Sequence, residues 1–249
     1  MDLDGDGHTD LLSGQYSPGI IRFWRGSPEG FHDPVVLEET DDPDESAFIA
    51  PSFGDLDGDG DLDMVVAGET GLRVNWNTGE PTAPRFGRRV PLTDPAGTPL
   101  TIARAPGASG EPNAKTSPSV VDWDGDGTLD LLVTDYFISP GDVGLTFFKG
   151  LGGGHFARGV PVFEGKWLCG SAPLVHVTDW NEDGKLDLLV GTSIVTIDGV
   201  YAAELNEGYE DEFGSFFGPG KDGALQYNPT PYTGKDFRHV GHLYLRLGK

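Results

Sequence analysis

Short uninterrupted apolar runs recur along the chain at Leu11-Leu12, Met64-Val65-Val66, Leu131-Leu132-Val133 and Leu188-Leu189-Val190. Runs this short, bounded by glycine and polar residues, fit strands buried on both faces. Ahead of three of them stand Ala50-Pro51-Ser52-Phe53-Gly54, Ser117-Pro118-Ser119-Val120-Val121 and Ala172-Pro173-Leu174-Val175-His176, each read as a preceding strand. Behind them, alternation over residues 20–24, 72–76 and 145–148 predicts a third strand. A glycine- or proline-rich turn then leads to a phenylalanine and one more apolar stretch, at 31–37, 86–92 and 156–163. Each unit therefore predicts four strands, here called inner, second, third and outer, and the chain predicts an all-β fold.

Between inner and second strands lies a repeated acidic string. Asp-x-Asp-x-Asp-Gly-x-x-Asp starts at Asp2, Asp55 and Asp122, and a copy with one asparagine starts at Asp179. The copies are 53, 67 and 57 residues apart, a spacing that leaves room for one supersecondary unit each. Four-stranded units of this size read as blades of a β-propeller. Stacking blade on blade explains why the second strand is apolar on both sides. A β-sandwich, the alternative, does not need an acidic loop at the same place in every unit. The blades are expected at about 1–40, 41–100, 101–165 and 166–249, as one propeller over 1–249 that is either whole or part of a larger one.

The period breaks after Val190. Residues 193–239 are expected as a long insertion in the last blade, carrying Glu204, Glu207, Glu210, Asp211 and Glu212 and then Phe213, Phe216 and Phe217. Long ordered loops often carry function, and the phenylalanines point to docking on the propeller or on a partner. Residues 240–247 alternate like 71–76 and are expected as a third strand. Met1 stands immediately before the first acidic string, so the first blade is expected to lack its inner strand. Both end blades are then incomplete, and a second copy, another chain or upstream sequence is expected to complete the arc. The rival is a four-bladed ring closed by pairing 240–247 with the first blade.

Composition narrows the chemistry. Asp and Glu number 40 against 17 Lys and Arg, a net charge of −23, which argues against binding nucleic acid or anionic lipid. No apolar run reaches the length of a membrane-spanning helix. The single cysteine, Cys169, rules out an intrachain disulfide and thiolate metal clusters, and is expected as a small buried residue.

The acid excess is concentrated where cations bind. The sets are Asp2, Asp4, Asp6 and Asp10; Asp55, Asp57, Asp59 and Asp63; Asp122, Asp124, Asp126 and Asp130; and Asp179, Asn181, Asp183 and Asp187. Position seven of each loop, His8, Asp61, Thr128 and Lys185, can add a backbone carbonyl. Gly7, Gly60, Gly127 and Gly184 at position six allow the sharp turn such loops need. Two carboxylates about 4 Å apart repel by roughly 4 kcal/mol at an effective dielectric near 20, so a cation is required to gather four of them. Flexible all-oxygen ligation, with the position-nine carboxylate bidentate, suits Ca²⁺ over zinc or magnesium. Up to four Ca²⁺ are expected, the Asn181 loop binding most weakly, and four ions offset eight of the 23 net negative charges. An EF-hand is excluded because position twelve is Ser13, Val66, Val133 or Val190 rather than glutamate, and the flanks read as strands. Flanking structure and spacing exclude a dockerin-type pair as well.

The segment Phe53-Gly54-Asp55-Leu56-Asp57-Gly58-Asp59-Gly60-Asp61-Leu62-Asp63-Met64-Val65-Val66 resembles the FG-GAP/VCBS-type repeat of the integrin α-chain propeller and of bacterial secreted propellers. Asn75-Trp76-Asn77-Thr78-Gly79 with Pro84-Arg85-Phe86, and Gly152-Gly153-Gly154-His155-Phe156-Ala157, resemble later parts of the same blade. The resemblance covers about residues 1–192. It implies calcium loops that brace the propeller without being its ligand site. It also implies an extracytoplasmic location (secreted, periplasmic or cell-surface), although the chain shows no signal peptide. The ligand-binding insertions of integrins have no counterpart, so adhesion does not carry over.

The leading functional reading is a non-catalytic module that binds a protein or a glycan, or assembles with a second copy. A polysaccharide lyase or hydrolase is the enzyme alternative, drawing on His155, His176, His239 or His242 with Lys166 or Arg104. Spacing of three on a strand puts His239 and His242 on opposite faces, which argues against a shared site. A purely structural subunit is the third reading. Trp123 and Trp180 stand at loop position two, where Leu3 and Leu56 stand in the other copies, and both are expected as packing residues.

Overall fold

The computed structural model describes residues 1–15, 20–38, 50–68, 71–80, 82–103, 116–135, 137–138, 144–162, 170–197, 200–201, 217–219, 225–227 and 237–248. Among these there is no helix; the chain is all-β. Arg104, Lys166 and Cys169, and Phe213 and Phe216 with the acidic run before them, lie outside the described residues.

Four antiparallel sheets follow one another. The first is β1 (Leu11–Gly14), β2 (Ile21–Trp24) and β3 (Val35–Glu38). The second is β4 (Ala50–Gly54), β5 (Asp63–Gly68), β6 (Gly71–Asn75) and β7 (Val90–Pro91). The third is β8 (Thr116–Val121), β9 (Asp130–Asp135), β10 (Leu145–Phe148) and β11 (Val160–Pro161). The fourth joins β12 (Gly170–Thr178), β13 (Asp187–Ile197) and β14 (Phe237–Arg246), with short ladders from Phe137–Ile138 and Val200–Tyr201. This is the blade order inner, second, third, outer; among the described residues the first sheet has no inner strand and the fourth no outer one.

The second strands alternate between two neighbours. Met64 and Val66 pack with Leu3, Ile21, Phe23 and Phe53 in the layer between blades one and two. Val65 and Ala67 point the other way and join Leu72, Val74, Leu131, Val133 and Phe148 between blades two and three. Leu132 and Leu145 meet Leu188 and Val190 between blades three and four. A period-two strand with both faces covered must be apolar at every position, and this is why the runs are continuous. Hydrogen bonds tie the inner edges as well: Val120 N donates to Ser52 Oγ (3.0 Å), and Thr134 Oγ1 donates to the Pro173 carbonyl (2.9 Å).

Two expectations are adjusted. The outer strands are shorter than 31–37, 86–92 and 156–163, reduced in blades two and three to Val90–Pro91 and Val160–Pro161. Each ends in a proline, which has no N–H for the ladder and belongs on an edge. The leading phenylalanines instead sit in turn pairings: Gly26 with Phe31, Asn77 with Phe86, and Gly150 with Phe156. The insertion is narrower than 193–239, because β13 and β14 pair all the way to Ile197↔Phe237. Since β14 runs along β13, the 240–247 segment is the third strand of blade four, and the described ladders do not include a closing pair with blade one.

Among the described residues, both end faces of the stack are apolar and exposed. In blade four, Leu189 stands in register with Leu245, and Gly191 with Leu174 and Leu243. These lie on the face away from blade three. Leu174 is 62% exposed and Leu243 70%. In blade one, Leu11 occupies the place that Met64, Leu131 and Leu188 fill in the other second strands, yet it is 48% exposed where those are 0–1%.

Candidate metal centre

All four acidic loops are built on one backbone scheme. The position-one carboxylate accepts from amides further along its own loop. Asp55 takes Gly58 N at 2.8 Å and Gly60 N at 3.1 Å, and Asp122 takes Gly125 N at 2.9 Å and Gly127 N at 2.9 Å. Asp2 and Asp179 do the same with Gly7 N at 2.9 Å and Gly184 N at 2.8 Å. The position-five carboxylate then accepts the amide two residues on, from His8, Asp61, Thr128 or Lys185, at 2.9–3.0 Å. Folding a chain around its own carboxylates demands left-handed backbone. Gly60 has φ of 97° and Gly58, at position four, 84°. The position-four glycine is a second requirement, legible in Gly5, Gly58 and Gly125. The fourth loop breaks it with Glu182 at φ 60°, the one non-glycine residue with positive φ among the described residues.

Position nine is a latch. Its Oδ2 accepts the position-two amide, and its Oδ1 accepts an amide at the far end of the third strand. For Asp10 the donors are Leu3 N (2.7 Å) and Gly26 N (2.7 Å); for Asp63, Leu56 N (3.1 Å) and Asn77 N (2.9 Å). For Asp130 they are Trp123 N (2.9 Å) and Gly150 N (2.7 Å); for Asp187, Trp180 N (2.8 Å) and Gly248 N (2.6 Å). Each latch ties its loop to the same sheet corner. The residue at that corner must be small in blades one, three and four: a methyl on Gly26, Gly150 or Gly248 would collide with the backbone carbonyl of Thr9, Leu129 or Leu186.

This scaffold brings carboxylate oxygens together. In three loops they approach within 4.8 Å of one another: Asp2, Asp4 and Asp6; Asp55, Asp57 and Asp63; Asp122, Asp124 and Asp130. The fourth set is not among these clusters, and there Asn181 Nδ2 donates to Asp183 Oδ2 at 3.2 Å.

Electrostatics sharpen the contrast between loops. Asp63 is buried, and its carboxyl is pushed up to about 6. Burial is the main cause, offset in part by the Asn77 and Leu56 amides, with Asp57 and Asp59 adding repulsion. Asp61 is also raised, by desolvation first and then by Asp59, Glu80, Asp55 and Asp57, so its charged neighbours are all carboxylates. Asp4 is raised by burial, against the pull of Arg25. Asp126 is lowered, chiefly by the Lys149 ammonium. Asp187 is lowered by the Gly248 amide above all.

The donor set fits a hard divalent cation: it is all oxygen, anionic, and gathered on a flexible loop. Asp4 is the clearest observation for it. The side chain is 2% exposed, and neither oxygen has a hydrogen-bond partner. Arg25 Nε is ion-paired with Oδ2 at 2.5 Å. Arg25 offsets part of the cost of burying this charge, but Oδ1 is left with no partner, and a divalent cation would satisfy it.

Among the described residues, the histidine candidates are spread over separate elements. His155 lies in a turn ladder of blade three and His176 in β12 of blade four. His239 and His242 stand opposite Val195 and Thr192 in β14. The tryptophan expectation is half corrected: Trp123 packs against the layer between blades three and four, whereas Trp180 is 59% exposed. The reason is positional. Leu3, Leu56 and Trp123 each enter the layer shared with the following blade, and Trp180 faces the side of blade four where no described blade follows.

Fold and loops together define a repeat protein whose successive β-blades each carry one acidic, cation-fitting turn. The family model of the FG-GAP-like repeat matches three overlapping stretches, residues 2–66, 55–133 and 122–190. The chain belongs to the FG-GAP-like repeat family. No curated protein matches it. Among solved structures it is similar to an Agrocybe aegerita lectin described by its recognition of non-reducing terminal N-acetylglucosamine. Identity is 18% and the TM-score 0.49, over 99% of this chain and 56% of the lectin's. The chain thus spans little more than half of the lectin's length.

Proposed function

We propose that the protein is a calcium-stabilised, non-catalytic propeller module that binds a protein or glycan partner and assembles through its end blades, outside the cytoplasm. The observation that carries this reading is the convergence of carboxylates in three successive loops, the first around the buried Asp4. Asp2, Asp4 and Asp6 would hold one ion, Asp55, Asp57 and Asp63 a second, and Asp122, Asp124 and Asp130 a third, with a weaker fourth at Asp179, Asn181, Asp183 and Asp187. Asp10, Asp59 and Asp126, and the carbonyls of His8, Asp61, Thr128 and Lys185, are the further oxygens each loop can offer. Bound calcium supplies the positive charge that lets these carboxylates stay close. The residues do the rest: the position-nine latch transmits the braced loop to the third strand of its blade.

Assembly is supported by the open end faces. A sheet face whose equivalents are buried three times over in the same molecule is built to meet another blade, and exposed apolar patches of this kind mark interaction sites. Light scattering of the isolated chain in millimolar calcium tests this. The reading expects a mass of at least twice 26.6 kDa, and a stable monomer of 26.6 kDa contradicts the assembly part of it.

A further inference from the structure

The four blades differ at one position next to the latch. The residue just before the latching amide is Arg25 in blade one, Trp76 in blade two, Lys149 in blade three and Leu247 in blade four. Strand register puts each of these beside its own acidic loop: Leu11 pairs with Trp24 and Leu131 with Phe148, and the basic residue follows directly. The consequence is a contact between a side-chain cation and the loop's ligand set. Lys149 Nζ bonds to Asp124 Oδ2 and, at 2.7 Å, to Asp126 Oδ2. Arg25 Nε reaches Asp4 Oδ2. In blade two the ring of Trp76 packs against Gly154 instead, and the described residues include no lysine or arginine ion-paired with Asp55, Asp57, Asp59 or Asp63.

We propose that Arg25 and Lys149 are tethered counter-cations of the first and third loops, contending with calcium for the carboxylates at loop positions three and five, so that the second loop is the tight calcium site and the first and third are weaker, tunable ones. The inference rests on the calcium reading given above and deepens it by ranking the sites. A tethered ammonium has no translational entropy to lose, so it competes at every calcium concentration. It is also exposed enough to swing away: the Lys149 side chain is 40% exposed. In return, it relieves repulsion within its loop, so the fold tolerates low calcium at loops one and three better than at loop two.

Calorimetric titration of the full chain with CaCl₂ tests this, comparing wild type with Lys149→Gln, Arg25→Gln, the charge-keeping Lys149→Arg and the remote control Arg158→Gln. Wild type should show one tight site and a weaker class. Lys149→Gln should move one site from the weak to the tight class, tightening it about five- to tenfold, the scale of two exposed ion pairs. It should also melt at a lower temperature than wild type in EDTA, though no lower in saturating calcium. Lys149→Arg and Arg158→Gln should titrate like wild type, so a general effect of substitution or a folding defect is recognised. If calcium binds wild type but Lys149→Gln and Arg25→Gln bind it unchanged or more weakly, the counter-cation role is overturned while the calcium reading stands. If wild type binds no calcium, the calcium reading fails and this inference with it.

Discussion

Asp63 is where the charge of the acidic loops meets the fold. Its folded-state pKa of about 6 lies above the ordinary 3.8, so the folded chain holds this proton more tightly than the unfolded chain does. Stability in EDTA therefore falls as pH rises through the window from 3.8 to about 6, by about 3 kcal/mol from this group. The raised carboxyls of Asp4 and Asp61 act in the same sense, and the lowered ones of Asp126 and Asp187 act oppositely, losing stability as pH falls. Calcium needs the ionised ligands, so saturating calcium should cancel or reverse the trend. Urea titrations at pH 5 and pH 7, each with EDTA and with calcium, check the sign, and greater stability at pH 7 than at pH 5 in EDTA contradicts the role given to Asp63. A second residue-scale prediction concerns Glu182, a side chain held in left-handed backbone where the other loops have glycine. Glu182→Gly should stabilise the chain by about 1 kcal/mol, read as a higher urea midpoint at unchanged slope. The carboxylate positions were legible in the sequence because ligand spacing is local. The latch was not, because the amides that close on Asp10, Asp63, Asp130 and Asp187 arrive from 14 to 61 residues away.

At the scale of the element, the four second strands carry the same kind of apolar run in different surroundings. Leu132 is wholly buried between blades three and four, whereas the equivalent Leu189 of blade four is half-buried on an open face. Leu132→Ala should cost about 2–5 kcal/mol, and Leu189→Ala in the isolated chain less than half as much. Equal losses in urea denaturation would show that blade four is covered on that side after all. Second and third strands were readable from the sequence, since continuous and alternating apolar patterns report burial directly. Outer strands were not read at their true length. Phe31, Phe86 and Phe156 mark the turn before the outer strand, and the prolines at Pro91 and Pro161 cut its ladder to two residues. Hydrophobicity alone does not separate a turn phenylalanine from a strand one.

For the whole molecule, blades one to four form a stack with three filled layers and two open faces, and the place of β14 beside β13 leaves the stack unclosed among the described residues. The open ends were legible because the repeat is long enough to align against itself, and the alignment shows which strands each end copy lacks. Trp180 differs from Trp123 in which blade it faces, and residue type at position two does not carry that information. The central claim is that calcium in the loops holds this stack together, and thermal unfolding with and without the ion tests it most directly. At a free calcium concentration about 100 times the dissociation constant, each occupied site adds about 2.7 kcal/mol. For a chain of this size, each kcal/mol is worth about 2–4 °C. Three occupied loops should therefore raise the melting temperature in millimolar calcium by roughly 15 °C or more over the same protein in EDTA. Identical melting curves, with removal of the metal verified by elemental analysis, would contradict the account.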